Sequence, residues 1–148
     1  MAVYRRQADL FPDGGYTIRV DASDAPSHSP GDALSAEKSS DHFEVDNTPP
    51  VLEVTSARLE GNKLHLVFRA TDSFSPITRA EYSIDADEWQ TAEPIGQISD
   101  SKTENYDLVV PLPAPNSTAK EHTVVVRALD RYDNIGVAKT VVKVPATR

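Results

Sequence analysis

Apolar residues recur at every second position through most of this chain. From Lys63 to Asp72, Leu64, Leu66, Phe68 and Ala70 fall on one side and His65, Val67 and Arg69 on the other, which is the two-residue period of a half-buried strand. His122 to Asp130 repeats the pattern, with Val124, Val126 and Ala128 on one face and Thr123, Val125, Arg127 and Leu129 on the other. Its second face is also largely apolar, so this strand is expected to be central in its sheet or covered by a neighbour. Further strands are predicted over Val51 to Thr55, Ile77 to Ile84, a short run from near Trp89, Glu104 to Val110, and Ile135 to Val144. Turn-forming clusters separate them: Glu60-Gly61-Asn62, Ser73 to Pro76, Asp85 to Glu88, Pro111 to Asn116 and Tyr132-Asp133-Asn134. Seven short strands in about 100 residues, with turns at regular spacing, predict an all-β, antiparallel, two-sheet sandwich over residues 47–148.

The first 46 residues carry no such set. Tyr16 to Ala22 and His42 to Val45 read as strands, Val3 to Arg5 as a further short one, and Asp24 to about Ser40 as a polar loop. Two or three strands do not enclose a core. An internal repeat accounts for the number: Tyr16 to Asp24 aligns without gaps on His122 to Asp130, and each copy is followed by a loop and one last strand. Residues 1–46 are therefore expected to be the closing strands of a truncated domain, and residues 47–148 a complete one of the same kind.

Leu10-Phe11-Pro12-Asp13-Gly14-Gly15-Tyr16, running into Ile18, Val20, Ala22 and Asp24, resembles the corner before strand F in fibronectin type III and bacterial immunoglobulin-like domains. The resemblance implies that the Tyr16 hydroxyl ties back to the corner backbone. Asp46-Asn47-Thr48-Pro49-Pro50-Val51 resembles the linker between tandem domains of extracellular arrays, where prolines stop one sheet and stiffen the approach to the next. The Tyr82-Ser83-Ile84-Asp85 to Trp89 hairpin and the Val126 to Gly136 end are similar to bacterial members. His122 stands where the second segment would have its corner tyrosine, and Trp89 follows its strand rather than lying within it. The resemblance implies a module of a secreted, periplasmic or cell-surface multidomain bacterial protein, with neighbouring domains of that protein as partners.

The net charge of −8 arises from 23 acidic and 15 basic residues. Residues 1–46 hold four basic and nine acidic side chains, the remainder 11 and 14, so both segments are acidic. Without a basic stripe, nucleic acid is not an expected partner. No apolar run reaches the ~18 residues of a spanning helix, and the polar start has no signal-peptide core, so no membrane partner is expected. Cysteine is absent, which removes disulfides, thiolate metal sites and cysteine nucleophiles together. His28, His42, His65 and His122 fall on unrelated segments, and neither a Gly-x-Ser-x-Gly elbow nor a glycine-rich phosphate loop occurs. The expectation is a non-catalytic structural, spacer or interaction module without a cofactor, calcium apart.

Two binding alternatives remain. In a sandwich entered from its first strand, the loops after Thr71 and Leu129 share an end with the linker. Asp46, Asn47, Asp72, Asp130, Asp133 and Asn134 would then offer hard oxygen ligands of the kind calcium takes. Cadherins also set an Asp-rich linker against aspartates of two loops, and the resemblance to them is partial. The bland reading is that Asp72 and Asp130 end strands, Asn134 accepts a turn conformation, and all are solvated. A carbohydrate platform would use Phe74, Trp89 and Tyr132, rings that equally serve to cover a sheet or pack between loops. Asn116-Ser117-Thr118 fits a glycosylation pattern that carries no meaning in a bacterial chain. Truncation also implies that Tyr16, Ile18, Val20, Phe43 and Val45 lack an opposing sheet, which makes a homo-oligomer through the N-terminal strands an expectation.

Overall fold

The computed structural model describes residues 10–113 and 119–146. The strand expected at residues 3–5 and the Asn116-Ser117-Thr118 pattern lie outside them. The chain forms two compact units, Met1–Asn47 and Thr48–Arg148. Both are built from antiparallel strands, and no α-helix occurs among the described residues.

The first unit holds β1 (Gly14–Tyr16), β2 (Arg19–Ser23), β3 (Ser35–Ser39) and β4 (Phe43–Val45). β1 pairs with β4 and β2 with β3. Tyr16 stands opposite Phe43 and Arg19 opposite Ser39, so three steps along one strand match four along the other. This offset splits the single strand expected over Tyr16 to Ala22 into β1 and β2. The loop expected from Asp24 to Ser40 is also corrected, because it contains β3. Ser35-Ala36-Glu37-Lys38-Ser39 is exposed throughout and has no apolar alternation to signal a strand; backbone pairing to β2 recruits it. Asp24 anchors the connection, its Oδ1 accepting the Leu34 amide at 2.6 Å. The Tyr16 hydroxyl donates to the Pro12 carbonyl at 2.6 Å, the closure expected from Leu10 to Tyr16. Its ring lies between Phe11 and Phe43, with centroids 5.6 and 6.1 Å away.

The second unit comprises a three-stranded sheet of β5 (Val51–Glu60), β6 (Lys63–Thr71) and β9 (Thr103–Pro111), and a four-stranded sheet in the order β11 (Ile135–Lys143), β10 (Glu121–Asp130), β7 (Ile77–Ile84), β8 (Gln90–Ala92). One core joins them. Leu64, Leu66, Phe68 and Ala70 of β6 and Tyr106 and Val110 of β9 pack with Ile77, Ala80 and Ile84 of β7 and Val124, Val126 and Ala128 of β10. Phe68 and Tyr106, opposite one another in the ladder, stack at 4.4 Å with planes 8° apart. Each such fully buried large side chain stabilises the unit by about 1.5–3 kcal/mol. β10 has β11 on one side and β7 on the other, so of the two outcomes its doubly apolar pattern allows, central or covered by a neighbour, it is an interior strand of its sheet.

β5 runs past Thr55, where its alternation had predicted an end. Between Val54 and Ser56 the register to β6 shifts, and the Thr55 hydroxyl donates to the Val67 carbonyl at 3.2 Å. This bulge resets the face: Leu52 and Val54 before it, and Ala57 and Leu59 after it, all pack on the core. His122 ties the start of β10 to the turn after β7. Its Nδ1 lies 2.6 Å from Asp85 Oδ2, and Asp85 Oδ1 accepts the Thr123 amide at 2.8 Å.

Two backbone positions make opposite demands on side-chain size. Gly136 of β11 lies so close to Pro50 that a Cβ would overlap the Pro50 carbonyl oxygen and sit 2.9 Å from Leu52 Cδ1. Gly136→Ala is expected to cost about 2–3 kcal/mol of unfolding free energy in urea melts. The turn after β7 places Asp85 and Ala86 at φ 54° and 62°, with the Asp87 amide donating to the Ile84 carbonyl at 3.0 Å. An alanine in the left-handed region is strained, so Ala86→Gly is expected to stabilise by roughly 0.5–1 kcal/mol in the same melts. Equal effects of the two substitutions would contradict both assignments.

Candidate metal centre

Two strands of the second unit end on aspartates at the same point. Asp72 follows β6 directly and is 3% exposed; Asp130 closes β10 and is fully buried at 0%. Each offers a carboxylate oxygen, and the two oxygens lie within 4.8 Å of one another. The sequence puts aspartate here because both strands must stop: a short acceptor side chain captures the amides of the turn that follows. Asp72 Oδ1 accepts the Phe74 and Ser75 amides at 2.8 and 2.7 Å. Asp130 Oδ1 accepts the Tyr132 and Asn134 amides at 2.7 and 3.0 Å, and its Oδ2 accepts from Asn134 Nδ2 at 2.8 Å. The turn is completed by Asp133, which has φ 63° and donates its amide to the Asp130 carbonyl at 3.2 Å.

Turn formation uses only part of this oxygen set. Asp72 Oδ2 is buried and has no hydrogen-bond partner. A desolvated carboxylate oxygen without a donor costs about 1–3 kcal/mol or more. A hard divalent cation would satisfy that oxygen, because carboxylate oxygens are among the ligands it prefers.

The other expected ligands are used differently. Asn134 is bound to Asp130, and Asp133 is exposed and shapes the turn. Asp46 and Asn47 end the first unit, where Asp46 is buried. The Asn47 amide donates to Asp13 Oδ1 at 2.7 Å and its Nδ2 to the Phe11 carbonyl at 3.0 Å, fastening the end of that unit to its own tyrosine corner. Among the expected aromatic residues, Phe74 and Tyr132 are half-buried on the two aspartate turns. Trp89 is partly exposed and lies under the Arg127 guanidinium, whose carbon is 4.0 Å from the ring centroid, a cation–π contact. Arg127 is held over it by Glu81 at 2.7 Å. One face of the Trp89 ring is therefore already covered, and the structure does not gather the three aromatics on one described platform.

Sequence reasoning missed a charged network on the outer face of the three-stranded sheet. His65 Nε2 lies 2.6 Å from Asp107 Oδ1, and its Nδ1 lies 3.0 Å from Glu60 Oε1 and 3.0 Å from an Arg58 nitrogen. The signal was present in part: a two-residue turn at Gly61-Asn62 sets Arg58 opposite His65. Asp107, from a distant strand, was not legible. Hydrogen bonding to Asp107 first, and to Glu60 second, raises the His65 pKa above its usual 6.5. The Arg58 bond, followed by that to His65, holds Glu60 below its usual 4.5. In the core, burial pushes the Tyr106 phenol up to about 12. Among the described residues, no helix is long and apolar enough to cross a membrane.

The signs of these shifts set a pH window. Stability from His65, raised on folding, is fully present below pH 6.5 and lost as pH rises through the folded value; that from Glu60, lowered on folding, is present above pH 4.5 and lost as pH falls through its folded value. NMR titration of the His65 ring is expected to give a midpoint above 6.5, moving back toward it in Asp107→Asn. A midpoint at or below 6.5 in the unmodified protein would show that Asp107 and Glu60 do not hold the imidazolium.

In comparisons with known proteins, no family model matches the chain and no curated protein matches it.

Proposed function

We propose that this chain is a non-catalytic structural or interaction module of a secreted, periplasmic or cell-surface multidomain bacterial protein. In this reading the second unit is a seven-stranded immunoglobulin-like or fibronectin type III-like sandwich, and the first holds the closing strands of a similar domain. The observation that carries it is the repeated strand: Tyr16 to Asp24 and His122 to Asp130 share one apolar pattern and end on an aspartate that fixes the next connection. Two copies of one building plan on either side of Asn47-Thr48-Pro49-Pro50 are what a tandem array requires. The test is the excised segment 48–148, expected to unfold in one cooperative step with its sheet content retained. Failure of that segment to fold alone would remove the modular reading.

A second reading is favoured by the partnerless Asp72 Oδ2: the second unit is a calcium-stabilised module, with Asp72 and Asp130 as ligands. Calcium at ten times its dissociation constant would stabilise the folded form by about 1.4 kcal/mol, a rise of roughly 6–11 °C in Tm for a domain of this size. Asp72→Asn is expected to abolish the rise and to melt in EDTA no lower than the parent, since the amide replaces a buried charge. A parent Tm that does not move between EDTA and millimolar calcium would eliminate the metal.

A further inference from the structure

β2 and β10 occupy matching places in the repeat, yet their surroundings differ. Ile18, Val20 and Ala22 align on Val124, Val126 and Ala128. The latter three are fully buried, whereas Ile18 is 54% and Val20 60% exposed. Both strands use the same edge for the strand that follows them. The Lys120 carbonyl accepts the Val144 amide, as the Ile18 carbonyl accepts that of Ser40. Alternation then turns the amides and carbonyls of Val124, Val126 and Ala128 toward β11, and those of Val20 and Ala22 toward β3. The opposite edge of β10 is filled by β7. On β2 that edge, formed by the backbone groups of Arg19, Asp21 and Ser23, has no pairing strand among the described residues.

We infer that the edge of β2 opposite β3 pairs antiparallel with β2 of a second copy of this chain, about an axis through Val20. The register follows from two filters. Only Arg19, Asp21 and Ser23 turn their amides and carbonyls outward, so those residues must face one another across the new ladder. An axis at Arg19 sets arginine against arginine, and one at Asp21 sets aspartate against aspartate, both unfavourable for directly opposed positions. An axis at Ala22 sets Val20 against Asp24. With the axis at Val20, each Arg19 faces Asp21 of the second copy, Val20 faces Val20, and Ile18 faces Ala22, so opposite charges share one face and apolar side chains the other. The acidic surplus beside Arg19, which bonds Asp21 at 3.0 Å and Glu37 at 2.6 Å within one copy, gains a second cation. Pairing of five-residue strands buries far less than the ~1,200 Å² of a stable interface, so the dimer is weak and forms at high protein concentration. This inference concerns the first unit and is independent of the calcium reading.

Because the chain has no cysteine, Val20→Cys introduces a single thiol at the axis. Val20 opposite Val20 is a non-hydrogen-bonded pair with Cα atoms ~4.5 Å apart, within disulfide reach. Under copper–phenanthroline oxidation of the full chain, Val20→Cys is expected to form a reducible dimer about tenfold faster than Ala22→Cys or Lys38→Cys. Adding Arg19→Glu to Val20→Cys opposes four acidic side chains at the axis and is expected to cut the rate about tenfold. Adding both Arg19→Asp and Asp21→Arg restores it. Equal rates at the three cysteine positions, or no response to the charge reversal, would overturn the inference. So would a Val20→Cys thiol that is protected from a monomer-labelling reagent at low concentration, because that outcome assigns the edge to another segment of the same chain.

Discussion

The second unit depends on one constraint: the alternating faces of β6 and β10 must be buried against each other. Each strand presents small and branched apolar side chains every second residue, and the stacked Phe68 and Tyr106 rings fill the space between the sheets. Because a strand cannot shift by one residue without exposing that face, burial fixes the register of β5, β9, β7 and β11 around the two central strands. The bulge at Thr55 follows from this constraint. It lets one long strand serve the core on both sides of a break in its alternation, which a straight ten-residue strand of this sequence would not do.

The same ladder delivers acidic residues to a point where water is scarce. A strand ending in a tight turn favours an acceptor side chain, and Asp72 and Asp130 each capture the amides of their own turn. Local turn chemistry accounts for three of the four oxygens. The fourth, Asp72 Oδ2, is buried without a donor because two turns, each satisfied alone, converge at one end of the sandwich. The cation affinity proposed for this end is a product of packing two independent local solutions together.

The two units show how far a strand's fate depends on its neighbours. β2 and β10 have related patterns and matching hydrogen-bond polarity, but among the described residues β10 lies between two strands and β2 pairs with one. In the first unit Val45 is buried, while at the corner the partly exposed rings of Phe11, Tyr16 and Phe43 pack together and Asn47 ties the end of the unit to Asp13 and Phe11. This corner is a local device, set by residues close in sequence to Tyr16 and by one returning strand. It orders the hairpin without supplying the opposing sheet that buries Val124 and Val126 in the second unit.

By itself the sequence determined the strand class and the inward faces of β6 and β10, and it left β10 either central in its sheet or covered by a neighbour, because each is written in local alternation and turn chemistry; the Tyr16 hydroxyl bond was implied only by the resemblance of Leu10 to Tyr16 to a known corner. It did not reveal β3, whose polar residues become a strand only through pairing with β2, nor the continuation of β5 beyond its bulge. It named Asp72 and Asp130 together, since the loops after Thr71 and Leu129 are expected at one end of a sandwich, but not that one oxygen would be left without a donor. The His65–Asp107 contact and the clash that forces glycine at position 136 were likewise decided by tertiary structure. In each of these cases the partner is remote in sequence, and pattern reading within one strand carries no information about what lies across the sheet or beyond its edge.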